Sequence, residues 1–194
     1  MELPVVRPAT EADRRAVCDV VTLAFVTDPL ARWAIPDPTR YLASFPAFVD
    51  AFGGPGLTHD ATYVANGLRG AALWLPPGVE PDDESMNAIM ARTVAGDVLP
   101  DLAALFEQMG GYHPHEPHWY LPMIGVDPAQ QGRGYGAALM RHAVQRFDAE
   151  GSLAYLESSN PRNISLYQRH GFEILGTVQV GASPTVTPML RRPQ

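Results

Sequence analysis

A glycine-rich stretch lies between an apolar run and an amphipathic one: Val126-Asp127-Pro128-Ala129-Gln130-Gln131-Gly132-Arg133-Gly134-Tyr135-Gly136-Ala137. Such a passage reads as a strand that ends in a turn and opens a helix. Glycines at 132, 134 and 136 let the backbone approach a ligand, because no Cβ stands in the way. The first N–H groups of a helix lack internal partners and point outward. With the positive end of the helix dipole they make a cradle for phosphate. The chain is therefore expected to bind a phosphorylated cofactor, on a fold that delivers a strand to a helix N-terminus.

The 194 residues suffice for one domain with a substantial core, and a single domain over 1–194 is expected. A formal charge of −7 argues against a broad nucleic-acid surface, and a mild negative field suits an amine. The single cysteine, Cys18, allows no internal disulfide and fits a reducing, cytoplasmic setting. It falls in a helical pattern, as a small buried hydrophobe. Met1-Glu2-Leu3-Pro4 lacks a basic segment leading into an apolar one, and no apolar run reaches about 18 residues. Neither a secretory leader nor a membrane span is expected.

Leu3 to Arg7 reads as a first strand, ending at Pro8. Thr10 and Asp13 suggest a capping box before a helix with Val17, Val20, Val21, Ala24 and Phe25 on one stripe, stopping near Asp28-Pro29. Arg40 to Phe52 reads as a second helix, with Pro46 expected to break or delay it. Ala61–Asn66 and Gly70–Leu75 read as a hairpin through Asn66-Gly67. Asp82–Ala95 and Pro100–Met109 read as helices.

His118–Val126 reads as a strand in which Pro122 demands an edge or a bulge. Gly134–Glu150 is an expected helix and Leu153–Ser158 a strand. Asn160–His170 is an expected helix closed by Gly171. Phe172, Ile174, Val178 and Val180 alternate with polar residues as in a half-buried strand, and Val186–Arg191 is a last, irregular strand around Pro188. The pattern is that of a mixed α/β or α+β domain.

Which phosphate cofactor is a separate question. A P-loop needs Lys and then Ser or Thr after the glycines, and Tyr135-Gly136 follow Gly134 instead. A dinucleotide fingerprint is formally met by Gly132, Gly134 and Ala137, with Glu157 near the position of a ribose-binding acid. That fingerprint belongs directly after a domain's first strand, yet Asp127 to Gln131 intervenes here and little chain follows.

Gln131-x-x-Gly134-x-Gly136, with Arg133 inside the loop, resembles the pyrophosphate loop of the GNAT superfamily of acyl-CoA-dependent N-acyltransferases. Asn160-Pro161-Arg162-Asn163-Ile164-Ser165-Leu166-Tyr167, then Gly171-Phe172, resembles that superfamily's second segment. The C-terminal half is also similar to puromycin N-acetyltransferase and its relatives: Glu116-Pro117-His118-Trp119-Tyr120-Leu121, Gly125-Val126, Leu156-Glu157-Ser158 and Pro161-Arg162-Asn163. The closer resemblance covers about residues 113 to 192; the N-terminal half fits loosely.

The resemblance implies a single GNAT-like domain, with a mostly antiparallel central sheet splayed at the fourth strand and helices on both faces. It implies acetyl transfer from acetyl-CoA, a co-substrate, to an amine, without a metal. Gln131, Gly132, Arg133, Gly134, Tyr135, Gly136 and Ala137 would hold the pyrophosphate, Arg133 through a charge-assisted bond. Ile124 and Val126 would offer backbone to the pantetheine arm, and Asn160, with Asn163, would contact it. An N–H near Met123 or Ile124 would steady the thioester oxygen. Tyr167 matches the family's general acid, which protonates the departing sulfur. Glu157 is the candidate base and His118 a second one. His113, His115 and His118 lie close in sequence, but their spacing fits no common zinc pattern.

The expected acceptor is the primary amine of a small molecule. Its pocket is sought in the N-terminal half, with Asp28, Trp33, Tyr41, Trp74 and the helices between Asp82 and Gly110 as candidates. A protein or peptide amine, a non-catalytic acyl-CoA sensor and a nicotinamide oxidoreductase are the rival readings. No nucleic-acid or membrane partner is expected, and the chain is read as a monomer or homodimer.

Overall fold

The computed structural model describes residues 4–194. Seven strands form one sheet in the order β1-β2-β3-β4-β5-β7-β6. They are β1 (Val6–Pro8), β2 (Thr62–Ala65), β3 (Gly70–Leu75), β4 (His118–Val126), β5 (Leu153–Ser158), β6 (Glu173–Ile174) and β7 (Thr187–Arg191). Neighbours run antiparallel except β4 and β5, which are parallel. The helices are α1 (Arg14–Ala24), α2 (Pro29–Ala34), α3 (Pro38–Gly53), α4 (Asp83–Thr93), α5 (Leu99–Gly110), α6 (Tyr135–Glu150) and α7 (Ile164–Gln168).

Strand alternation divides the core between the two faces. On one face Val64, Ala71, Leu73 and Met123 pack with Val17 and Val21 of α1, Tyr41, Phe45 and Val49 of α3, and Leu102 and Leu105 of α5. On the other, Tyr63, Ala72, Trp74, Trp119 and Leu156 pack with Leu139, Met140, Ala143 and Phe147 of α6 and Tyr167 of α7. Phe147 lies 4.7 Å from both the Trp74 and Trp119 rings. Burying a side chain of this size contributes about 1.5–3 kcal/mol.

Most sequence expectations match these elements, and the departures have local causes. Leu3 of the expected first strand lies outside the described residues. Asp28-Pro29, read as a stop, also starts α2: the Asp28 carboxylate accepts from the N–H groups of Leu30 and Ala31. Pro46 does not break α3, which runs sixteen residues through it. An interior proline costs a helix about 3 kcal/mol. Here Tyr41, Phe45 and Val49, at four-residue spacing, are buried to between 0 and 4% exposure and hold the helix against the sheet.

The expected strand from Phe172 to Val180 is a correction. Only Glu173–Ile174 is a strand, and Ile174 is exposed. Val178 makes one isolated bridge to Val186. Gly176, with Tyr112 packed against it, interrupts the ladder, so alternation in the sequence does not become a continuous pair. Asn160–His170 divides into a 3-10 turn at Pro161–Asn163 and a short α7, with Gly171 following at φ +82°. β7 is regular despite Pro188, which sits opposite Glu157 of β5.

Candidate active site

β4 is two strands in one. From His118 to Leu121 it pairs with Leu153 to Leu156 of β5. From Pro122 to Val126 it has no β5 partner, while Met123 to Val126 stay paired with β3. The register with β3 slips between Leu73 and Leu75, where Met123 and Tyr120 are the partners. Three steps on β4 thus face two on β3, the signature of a bulge. Its effect is visible in the side chains. Trp119 and Leu121 point to the α6 face, whereas Pro122 and Met123 both line a pocket on the opposite face. Pro122 lacks the N–H a central strand would use, which accounts for the position of the break. β5 runs on through Glu157 and Ser158, paired only with β7 on its other edge. The sheet therefore opens between Pro122–Val126 and Glu157–Ser158.

Gly125 fixes what lies over this opening. A Cβ there would come within 2.6 Å of Ala24 Cβ, so only glycine lets α1 sit directly on β4. Ile124 and Val126 turn toward the α6 cluster, leaving their backbone at the opening.

Beyond Val126 the chain makes a 3-10 turn at Pro128–Gln130, held by the Asp127 carboxylate accepting from Ala129 N–H. The exposed Gln131 reaches back, its Nε2 3.4 Å from the Val126 carbonyl. Gly132 and Gly134 take φ of +75° and +83°. A Cβ at either would meet no protein atom within 4 Å, so backbone conformation, not crowding, requires glycine. Gly134 is the N-cap of α6, and the first helical bond is Ala138 N–H to the Gly134 carbonyl at 2.9 Å. The N–H groups of Gly134, Tyr135, Gly136 and Ala137 precede that bond and lack helical partners.

The side chains behind these amides serve packing. Tyr135 is buried, and its hydroxyl accepts from Arg69 Nη1 at 2.6 Å. Gly136 faces Leu166 and Val126 at ordinary contact distance. Arg133 is exposed. Across the opening, Asn160 Oδ1 accepts from Arg162 N–H and shapes the turn after β5. Asn163 is exposed and makes no side-chain cap.

Glu157 is the buried acid of the opening, its side chain only 4% exposed. Its Oε1 lies 3.1 Å from His113 Nε2 but without hydrogen-bond alignment. The His113 ring packs against Tyr120 and Tyr155, at 4.7 and 4.3 Å between centroids. Burial, then the Glu157 charge, pushes both phenols above their ordinary range. His113 Nδ1 lies 3.4 Å from His118 Nε2, and His118 Nδ1 lies 2.8 Å from the Glu116 carbonyl. A carbonyl only accepts, so His118 carries its proton on Nδ1, and its Nε2 is left to accept from His113. Burial lowers the His118 pKa and keeps it neutral. Both base candidates thus belong to one line, Glu157–His113–His118, running outward. His113, named in the sequence only as part of a rejected zinc pattern, is its middle member. Among the described residues, no three His, Cys, Asp or Glu side chains gather as a metal ligand set.

Tyr167 is buried on α7. Burial and then the Asp28 carboxylate raise its pKa, so the phenol keeps its proton. Asp28 is itself buried, accepting from Leu30 and Ala31 N–H and from Ser159 Oγ at 2.7 Å. Burial raises its pKa despite those bonds.

A pocket of about 100 Å³ adjoins the opening, walled by α2, α3, α4, α5 and the bulge. Asp28 and Glu157 are its charged residues. Of the other sequence candidates, Tyr41 is core, donating to the Thr22 carbonyl, and Trp74 is core against Phe147. Trp33 packs against the cluster on α1's face without lining the pocket.

Residues 94–172 match the family described as Acetyltransferase (GNAT) family, a span that holds the loop, the bulge, Glu157 and Tyr167. The N-alpha-acetyltransferase RimI of Mycobacterium tuberculosis is 44% identical over 105 residues, covering 53% of this chain and 63% of that protein. The mycothiol acetyltransferase of Mycolicibacterium gilvum is 41% identical over 63 residues, covering 28% of this chain and 21% of that protein. The chain spans less than two thirds of the length of either curated relative. A solved structure from Corynebacterium glutamicum, described as histone acetyltransferase HPA2 and related acetyltransferase, superposes with a TM-score of 0.70 at 28% identity, over 100% of this chain and 98% of that one.

Proposed function

We propose that this chain carries a GNAT acetyltransferase domain and that the protein is an acetyl-CoA-dependent N-acetyltransferase acting on the primary amine of a small molecule. The observation that carries this reading is the opening itself. Strand backbone at Pro122–Val126, unpaired on its β5 side, leads to four free helix amides at Gly134–Ala137, and a buried carboxylate faces it from Glu157. An extended arm with amides suits the first, a diphosphate the second, and an amine nitrogen the third.

The bound co-substrate supplies an acetyl thioester. The residues of the chain do the rest. The amides of Gly134, Tyr135, Gly136 and Ala137, with Arg133, bind the diphosphate, and Gln131 and Gly132 shape the loop. Backbone at Ile124 and Val126 holds the arm, and Asn160 and Asn163 stand at its other edge. Glu157 takes the proton that the amine loses as its nitrogen forms the new C–N bond. Tyr167, a buried phenol that holds its proton, gives it to the sulfur as the C–S bond breaks.

A second reading, a protein or peptide amine, is favoured by one finding: the 44% identity to an N-alpha-acetyltransferase over about half of this chain. The two separate in a thiol-release assay with acetyl-CoA against small amines and peptides with free N-termini. Release with small amines supports the first reading; release only with peptides overturns it. CoA binding without release on any amine would leave a sensor. Among the described residues no helix is long and apolar enough to cross a membrane.

A further inference from the structure

Five phenylalanines line the pocket: Phe25, Phe45, Phe48, Phe52 and Phe106. Four of them form a continuous wall. Ring centroids step from Phe25 to Phe45 at 5.9 Å, to Phe48 at 5.6 Å and to Phe52 at 5.5 Å, and the wall ends at Tyr120, 6.0 Å further. Residues 45, 48 and 52 share one face of α3, so a single helix sets the spacing. Tyr120 stands beside Glu157, where the wall meets the sheet opening.

The polar end of the pocket is spare in the same way. The Asp28 carboxylate is committed to two backbone N–H groups and the Ser159 hydroxyl. Glu157 Oε1 is buried without a hydrogen-bond partner. Such an atom is costly unless a donor reaches it. His113 Nε2, 3.1 Å away, is out of line, and no lysine or arginine lines the pocket, so an ammonium on the occupant is the cationic donor that can reach it.

We propose that the acceptor is a monoamine with one aromatic or branched apolar body. Its nitrogen sits at Glu157 and its body lies along Phe45, Phe48 and Phe52. The assignment rests on the acyl-transfer reading above and narrows it. A polyamine would bury a second ammonium among rings with no free carboxylate to meet it. A peptide would bring backbone amides that the apolar wall leaves unpaired. The pocket volume of about 100 Å³ is on the scale of one ring; an apolar protein cavity of about 150 Å³ accommodates benzene.

The test is calorimetric titration of the CoA-loaded protein with 2-phenylethylamine, 2-phenylethanol, spermidine and a tetrapeptide with N-terminal alanine. The amine is expected to bind at least tenfold tighter than spermidine or the peptide. Glu157→Gln should weaken 2-phenylethylamine about tenfold and leave 2-phenylethanol unchanged. Phe48→Ala and Phe52→Ala should each weaken both phenyl compounds about tenfold, while unchanged CoA affinity certifies the fold. Tighter binding of spermidine or peptide, or indifference of both phenyl compounds to both phenylalanine variants, overturns the proposal. Titrating the free protein separates the two levels. CoA heat without 2-phenylethylamine heat sinks the pocket assignment and spares the acyl-transfer reading. The reverse sinks that reading and keeps the pocket.

Discussion

The two sides of the β4–β5 opening are built from different materials. The cradle side is backbone: four amides at the start of α6, behind two glycines whose side-chain positions face open space. The pocket side is side chain: a phenylalanine wall contributed by α3 and its neighbours, with the buried Asp28 and Glu157 carboxylates at its polar end. Backbone recognition depends on φ and ψ and so on a few consecutive residues. Side-chain recognition depends on which surfaces pack together, and draws on elements far apart in the chain. Each side can therefore be altered without disturbing the other, and that independence is open to experiment.

The largest effect is expected at Glu157. Replacing it with Gln should lower kcat/KM about 10³-fold, as loss of a general base does, and leave CoA affinity as it was. A matching fall in CoA affinity would show that the two sides are not separate. Tyr167→Phe should come next, with about a 10²-fold loss in kcat and little change in either binding constant. An equal loss in kcat and CoA affinity would make the hydroxyl a binding group instead.

The cradle half also has an ionic clamp of its own. Arg191, 3% exposed, bonds both Asp148 oxygens at 2.7 and 2.8 Å and ties β7 to α6. Asp148→Asn leaves that guanidinium poorly paired and should cost about 3 kcal/mol in urea unfolding. The Arg191 hydrogen bonds hold the Asp148 carboxyl below its ordinary value of 3.8. Its stabilisation is therefore complete above that pH and is lost as pH falls further. The variant should show a shallower acid limb in stability against pH. An identical limb would remove Asp148 from the clamp.

Smaller effects sharpen the contrast within the cradle. Gly134→Val places a β-branched residue at φ +83°, costing about 1–2 kcal/mol of stability, and should weaken CoA binding at least tenfold. Gly136→Ala sits where a Cβ meets Leu166 at 3.5 Å. It should change CoA affinity less than about twofold and gain several tenths of a kcal/mol from helix propensity. If position 136 proved the more sensitive, the role of positive φ at 134 would be wrong.

This difference also sets what could be read in advance. The loop from Gln131 to Ala137, the strand ends at Val126 and Ser158 and the proline-bearing bulge are local, and each left a mark in consecutive residues. The pocket did not. Phe25, Phe45, Phe48, Phe52 and Phe106 each sit in a helical pattern where core packing is the ordinary explanation. Only the packing of α1, α3 and α5 on one face of the sheet shows that they share a cavity. Asp28 was visible as a pocket candidate, but its burial and its bond to Ser159, 131 positions away, were not. Pro46 misled for the opposite reason: its local cost is real, and burial of its neighbours outweighs it. The alternation after Phe172 misled because a strand needs a partner as well as a pattern.

The most direct measurement follows backbone amides by NMR while CoA, and separately pantetheine, is titrated in. With CoA, the resonances of Gly134, Tyr135, Gly136 and Ala137 are expected to shift together and saturate at one affinity. With pantetheine, which lacks the diphosphate, they should stay in place while those of Ile124 and Val126 move. Shifts confined to the strand with both ligands, or none at residues 134–137 with CoA, would contradict the assignment of the helix amides to the diphosphate.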